Sequence, residues 1–154
     1  MTESLNGPRA ALFYAVLLGL QTAAAIFLFW IIFPIFLRLV SNLGAQQELG
    51  LPFQLAALSG VAVLQVCYWT RLRWVPVVAP FRSVVVSHIM LFASRISFFF
   101  GGALFSAIFF RHVPQLEALP PMAQGIAKAA GVLAVLFALF CYSLELERLG
   151  RAIE

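Results

Sequence analysis

Two residues deep in the third apolar segment of this chain, Arg95 and His88, have side chains that could bind something inside a membrane. Seven residues make almost two helical turns, so a helix would carry His88, Arg95 and Gly102 on one stripe. Ser87 and Ser94 form the neighbouring stripe. Arginine binds carboxylates and phosphates through its guanidinium, and histidine donates hydrogen bonds or ligates metals. The pattern predicts that this face points at protein and binds a partner or an anionic ligand.

The counter-charge of Arg95 is not evident from the sequence. An arginine near the middle of a membrane costs between about 3 and about 15 kcal/mol. The chain has no aspartate, and its six glutamates fall in predicted loops or tails, at Glu3, Glu48, Glu117, Glu145, Glu147 and Glu154. The level of Glu145 is about 10–15 Å from the midpoint of the segment along a helix. A direct ion pair therefore requires that the helices shift or that the Arg95 side chain snorkels.

Three interpretations of Arg95 remain open at this point. Neutral acceptors within the chain could satisfy it, namely Gln21, Gln65, the serines and the backbone carbonyls near Pro34. An acidic residue or a carbonyl cluster of another subunit could pair with it. An anionic lipid, a quinone or a cofactor carboxylate could bind to it. The last two interpretations both make the chain a component that binds something within the membrane.

His88 has two interpretations of its own. A single histidine in a membrane helix is typical of an interhelical hydrogen bond, and the other interpretation is ligation of haem or a chlorophyll-type pigment. The remaining histidine, His112, is predicted at the opposite interface. The two histidines therefore cannot ligate one haem together on this chain.

The composition predicts that these residues are positioned by membrane-spanning helices. Of the 154 residues, 63% are hydrophobic and 10% are charged, whereas soluble domains average roughly 45–50% and about 25%. A helix needs about 20 apolar residues to cross a bilayer, and four segments meet this length: 10–37, 51–70, 81–110 and 121–144. We expect an all-α membrane protein with a single polytopic domain over 1–154, arranged as an antiparallel up-down bundle or a sheet of helices. The tail 145–154 is expected to continue helix four into the cytoplasm.

The basic residues predict the orientation. With four spans, one side of the membrane holds six arginines: Arg9, Arg71, Arg73, Arg82, Arg148 and Arg151. The other side holds three basic residues: Arg38, Arg111 and Lys128. The positive-inside rule then places both termini in the cytoplasm. At that interface, lipid headgroups are the predicted contacts of five residues: Arg71, Arg73, Arg82, Trp69 and Trp74.

Several functions lose support because the residues they need are missing from the sequence. A net charge of +4 carried at helix ends favours anionic lipids over nucleic acid. Cys67 and Cys141 form no CxxC motif and are expected to be small buried residues. There is no histidine cluster, no Ser/His/Asp set and no acid predicted inside the membrane for proton coupling. The sequence therefore predicts neither an enzyme nor a proton-coupled carrier.

The sequence favours a non-catalytic accessory subunit of a larger respiratory, photosynthetic or transport complex, with other integral membrane subunits and anionic lipids as partners. The abundance of arginine and alanine indicates the coding bias of a bacterium. The predicted location is therefore a bacterial cytoplasmic membrane. One alternative is a small homo-oligomeric transporter or channel for an anionic substrate. Another is a haem, pigment or quinone binder using His88 and Arg95. The ligand classes that these hypotheses imply are phospholipid, quinone and pigment. The apolar edge of the tail, Leu144, Leu149 and Ile153, is either a solvated helix end or a docking surface for a partner.

Overall fold

A computed structural model describes residues 8–41, 50–77, 81–112 and 120–154 of the chain, and 93% of these residues are helical. The helices are α1 (Pro8–Ser41), α2 (Leu51–Trp74), α3 (Val84–His112) and α4 (Pro121–Ile153). Each is long and apolar enough to cross a membrane. The described ranges contain no β-strand. The prediction of an all-α chain with four candidate membrane spans is confirmed.

Prolines mark several of the helix boundaries. α2 and α4 each have a proline in the first turn, where the missing N–H has no intrahelical partner to lose. α2 stops at Trp74 because Pro76 disfavours helical dihedrals for Val75, which is extended. α1, in contrast, runs on past Pro34 to Ser41. α2 and α4 extend 4 and 9 residues beyond the apolar segments 51–70 and 121–144, so their polar ends remain helical.

α3 and α4 form the most extensive helix pair, and α1 with α2 forms the next. Contacts along α3 run in the opposite order to those along α4. Ser94 Oγ donates a hydrogen bond to the Ser143 carbonyl at 2.7 Å, and the N–H of Ser83, just before α3, donates to the Ile153 carbonyl at 3.0 Å. The end of α4 is thereby tied to the beginning of α3.

The core lies between the four helices, whereas the outer surface is largely apolar. Fully buried side chains come from every helix, among them Leu28, Leu64, Phe105 and Leu139. Large apolar residues nevertheless face outward, including Trp30 at 77% and Phe99 at 79% exposed. A lipid environment is the expected surrounding of such a surface.

Glycines allow the closest helix contacts. A Cβ atom added at Gly101 would lie 2.6 Å from Leu139 Cδ1 and 3.1 Å from Phe29 Cζ. One added at Gly60 would lie 2.7 Å from Leu28 Cδ2. Small residues at such positions let helix backbones approach, and this approach replaces the hydrophobic driving force that lipid does not provide.

We expect Gly101→Val to destabilise the chain by about 1–3 kcal/mol, because the added methyl groups overpack the α3–α4 contact. The measurement is the free energy of unfolding in mixed detergent micelles. Gly19→Val is the matched control, since nothing lies within 4 Å of a Cβ at Gly19 in the middle of α1. Equal effects of the two substitutions would contradict close packing at Gly101.

Candidate functional site

The small polar residues of α3 pack against α4. Ser87 and Ser94 are 0% and 2% exposed, and Gly102 is also buried. Ser94 is bonded to α4, and a Cβ at Gly102 would lie 3.0 Å from Leu136 Cδ2. The Ser87–Ser94 stripe, together with Gly102 from the stripe of Arg95, points at protein as predicted, and that protein is α4 of the same chain. The assignment of Ser87, Ser94 and Gly102 to partner or ligand binding is corrected, because α4 covers them.

Arg95 lies on the other side of this packed stripe, at the outer surface. Its side chain is 75% exposed, and its Nη2 lies 3.8 Å from Glu147 Oε1, at the outer limit of an ion pair. The same Glu147 oxygen lies 2.5 Å from Nη2 of Arg151. Two arginines thus share one carboxylate. We call Arg95, Glu147 and Arg151 the surface charge cluster, and its formal charge is +1.

The sequence required a helix shift or snorkelling for a direct ion pair of Arg95, and its contact with Glu147 lies at the outer limit of such a pair. α4 remains helical through Ile153 and packs along α3, so Glu147 lies beside Arg95 instead of in a separate tail. An arginine in a helix also leans toward the N-terminus of that helix. For Arg95 this direction leads toward the end of α4, where the glutamates are. Snorkelling in this direction is one of the two conditions that the sequence set for the contact.

His88 shares the exposed side of α3 with Arg95. Its Nδ1 lies 2.8 Å from the carbonyl oxygen of Val84, one turn earlier in the same helix. Because the carbonyl only accepts, Nδ1 carries the proton and donates. The expected interhelical hydrogen bond is therefore replaced by one within α3. The imidazole remains exposed and can face a partner or ligand.

A second charged pair lies in the interior. Arg71 of α2 pairs with Glu145 of α4 through Nη2 and Oε2, and their side chains are 6% and 1% exposed. Arg71 was predicted to contact lipid headgroups, and that prediction is wrong because its guanidinium points into the bundle. Arg73 and Arg82 are exposed as predicted, and so are Trp69 and Trp74, at 53% and 55%. Their contact with headgroups remains a prediction.

The buried Glu145 also removes the reason for which the sequence disfavoured a proton-coupled carrier, namely the lack of an acid inside the predicted spans. Glu145 lies within the candidate span of α4 and is fully buried. The sequence placed it in a tail because the apolar segment ends at Leu144. The signal that could have found it is helical spacing: Glu145 lies four residues after Cys141 and three after Tyr142, both of which face the core.

Polar atoms near the pair lack partners among the described residues. Arg71 Nε, Glu145 Oε1 and the Tyr14 hydroxyl are buried and make no hydrogen bond there. Tyr14 belongs to the same apolar cluster as Cys67, which lies one helical turn before Arg71 in α2. Deeper in the bundle, Gln21 is 1% exposed and its Nε2 is likewise unpartnered. We call Tyr14, Arg71 and Glu145 the buried polar site.

The last turns of α4 cover this site. Leu149 and Ile153 are 5% and 2% exposed and belong to one apolar cluster with Tyr14, Cys67 and Val75. At Leu149 and Ile153 the predicted apolar edge therefore faces neither solvent nor a partner, whereas Arg148 and Arg151 of the same turns are exposed. It packs on its own chain, because its apolar residues continue the buried face of α4.

The cysteines and potential metal ligands add no second site. Cys67 and Cys141 are buried free thiols, which confirms the prediction of small buried residues. Within the ranges that the structure describes, no group of three or more His, Cys, Asp or Glu side chains could hold a metal ion. The charged contacts in the described ranges are thus concentrated in the surface charge cluster and the buried polar site.

Comparison with protein-family models, curated protein sequences and solved structures finds no match to this chain. The functional assignment therefore depends on the placement of the charged side chains.

We expect Arg71→Met to destabilise the chain by about 3–5 kcal/mol, because it leaves Glu145 buried without its partner. Arg73→Met, at an exposed position two residues away, should change the stability by no more than about 0.5 kcal/mol. The measurement is again the free energy of unfolding in mixed micelles.

The double variant Arg71→Met/Glu145→Leu should recover most of the lost stability, since it removes both charges and keeps apolar volume. An Arg71→Met chain as stable as Arg73→Met would show that Arg71 is not paired in the interior.

Proposed function

We propose that this protein is a non-catalytic accessory subunit of a larger integral membrane complex, and that the outer face of α3 docks on a partner subunit. The observation that carries this proposal is the position of Arg95. Its guanidinium is three-quarters exposed on an apolar helix, and its one ion-pair contact among the described residues is the distant, shared one with Glu147. A charge in that position needs a further counter-charge, which another membrane protein can provide.

The surroundings of Arg95 are suited to helix docking. Phe92 and Phe99 flank it on α3 at 66% and 79% exposed, and Ile96 is 46% exposed. Residues three or four apart share one helix face, so this surface is an apolar strip with one cation at its centre. Aromatic residues and arginine are enriched where protein surfaces meet.

The partner that fits this strip is a transmembrane helix with an acidic residue at the depth of Arg95. The excess positive charge of the surface charge cluster supports an acidic partner. An apolar helix would also remove Phe92 and Phe99 from lipid, although that burial alone contributes little, since lipid tails are equally apolar. Pairing of the charges then provides most of the specificity.

An up-down bundle with both termini in the cytoplasm is the arrangement we infer for this subunit. The opposite order of contacts along α3 and α4 supports antiparallel neighbours. The end of the bundle that contains Pro8 and Glu154 also carries the exposed Arg73, Arg82 and Arg148. Arginines are retained on the cytoplasmic side of bacterial membranes, which makes the cytoplasmic membrane of a bacterium the proposed location.

Arg95→Leu is expected to leave the isolated chain inserted and at least as stable, since an exposed charge is removed from an apolar surface. The co-purified partner should fall at least about tenfold, because its acidic residue is left unpaired in the interface. Arg95→Lys should restore binding only in part, since an ammonium cannot reproduce the bidentate guanidinium contact. Quantitative co-purification from native membranes, beside thermal stability of the isolated chain, gives both readouts.

Arg73→Leu provides the control, because it removes an exposed arginine from α2 and leaves α3 intact. Retention of every stoichiometric partner by Arg95→Leu would overturn the proposal. Loss of bound anionic lipid alone, with no protein partner in the wild type, would assign Arg95 to a lipid headgroup instead.

Reporter fusions test the orientation. Fusions after Arg73 and after Glu154 should report the cytoplasm, and one at Gln46, which lies outside the described residues, should report the opposite side. The reason is the arginine asymmetry between the two ends. A cytoplasmic signal at Gln46 would contradict the inferred topology.

A further inference from the structure

The buried polar site has hydrogen-bonding capacity that the Arg71–Glu145 pair does not use. Glu145 Oε1 is an unpartnered acceptor, whereas Arg71 Nε and the Tyr14 hydroxyl are unpartnered donors. The three residues are 0%, 5% and 3% exposed. In folded proteins more than about nine in ten buried polar groups have a partner, from the protein or from ordered water. Unused donors and an acceptor at one ion pair therefore point to a small polar occupant.

We propose that the buried polar site is a proton-binding site, in which water reaches the Arg71–Glu145 pair and Glu145 reversibly takes up one proton. Water has the hydrogen-bonding capacity that the site lacks, because it can accept from Arg71 Nε or the Tyr14 hydroxyl and donate to Glu145 Oε1. Typical buried waters make about three such bonds. The inference is independent of the proposed docking of Arg95.

The site is close enough to the end of the bundle for water to enter. Arg71 lies 3 residues before the last residue of α2, and Glu145 lies 8 before that of α4. At 1.5 Å per residue these separations are about 5 Å and about 12 Å. Val75, Leu149 and Ile153 cover the site from that end. Their apolar contact slows exchange of the occupant without making the path long.

Protonation changes the charge of the site and leaves every bond to carbon intact. A proton from bulk water adds to a lone pair of the Glu145 carboxylate, which becomes a neutral carboxylic acid. Arg71 keeps its proton, so the pair changes from a net charge of zero to +1. The attraction between α2 and α4 is then reduced from an ion pair to a hydrogen bond.

The groups around Glu145 identify it as the site of protonation. Tyr14 faces the site from α1 and Arg71 from α2. The thiol of Cys67, also in α2, lies in the same cluster as Tyr14, and Arg148 of α4 is exposed. α3 faces α4 with Ser87 and Ser94, whose hydroxyls do not titrate in the ordinary pH range. Glu145 is the one carboxylate of this set.

Infrared spectroscopy of the purified chain in micelles tests the proposal directly. A protonated buried carboxylic acid has a carbonyl band separate from the amide bands, and we expect this band to grow as the pH is lowered. It should be lost in Glu145→Gln. It should persist in Glu147→Gln, the matched control two residues away on the surface charge cluster. A shift of the band in deuterated water would show that the proton exchanges with solvent.

Arg71→Met provides a second, independent readout. Without the counter-charge a buried carboxylate is strongly disfavoured, so the acid band should already be present at neutral pH. If single variants fail to fold, Arg71→Met/Glu145→Leu serves as the folded chain from which the band must be absent.

Three results would overturn the proposal. The first is the absence of any acid band in the wild type across the pH range in which the chain stays folded. The second is a band that titrates unchanged in Glu145→Gln, which would assign it to another glutamate. The third is a band that does not exchange in deuterated water, which would exclude access of water to the site.

Discussion

The close approach of α3 and α4 sets the direction in which Glu145 and Glu147 of α4 face. Ser87, Ser94 and Gly101 bring the two helices together, and the Ser94–Ser143 hydrogen bond fixes their register. That register turns Glu145 inward and leaves Glu147, two residues on, at the surface beside Arg95. Residues two apart on a helix point about 200° apart. One helix can therefore present a carboxylate to the core and another to the surroundings.

The two ion pairs have different physical consequences. Both side chains of the Arg71–Glu145 pair are removed from solvent. The contribution of the pair to stability therefore depends on its geometry and on partners for the remaining donors and acceptors. The Arg95–Glu147 contact is long, and Arg151 competes for the same oxygen. The first pair is suited to holding two helices in register. The second leaves charge available to whatever lies against α3.

The fold was predictable from the sequence because each apolar segment alone is long enough to span a bilayer, and a span must be helical. The face of each helix was harder to assign. The stripes of His88 and Ser87 are adjacent and both polar, and hydropathy does not tell which one meets a neighbouring helix. Residue size does distinguish them at this depth, since the small side chains of Ser87 and Ser94 allow close packing, whereas those of His88 and Arg95 do not.

The buried polar site escaped prediction for a different reason. The apolar segment of α4 ends at Leu144, so hydropathy alone assigns Glu145 and Leu149 to a solvated tail. Their burial depends on tertiary contacts with Tyr14, Cys67 and Val75, from α1, α2 and the residue after α2. A pair of residues 74 positions apart in the sequence cannot be found from local patterns.

That separation also has a consequence for the order of events during synthesis. Arg71 emerges from the ribosome 74 residues before Glu145, and at about 5–20 residues per second this delay lasts roughly 4–15 s. In that interval α1 and α2 are made without the carboxylate that pairs with Arg71 in the folded structure. Leu149 and Ile153, which cover the site, are made later still. The buried polar site can therefore close only after most of α4 has been synthesised.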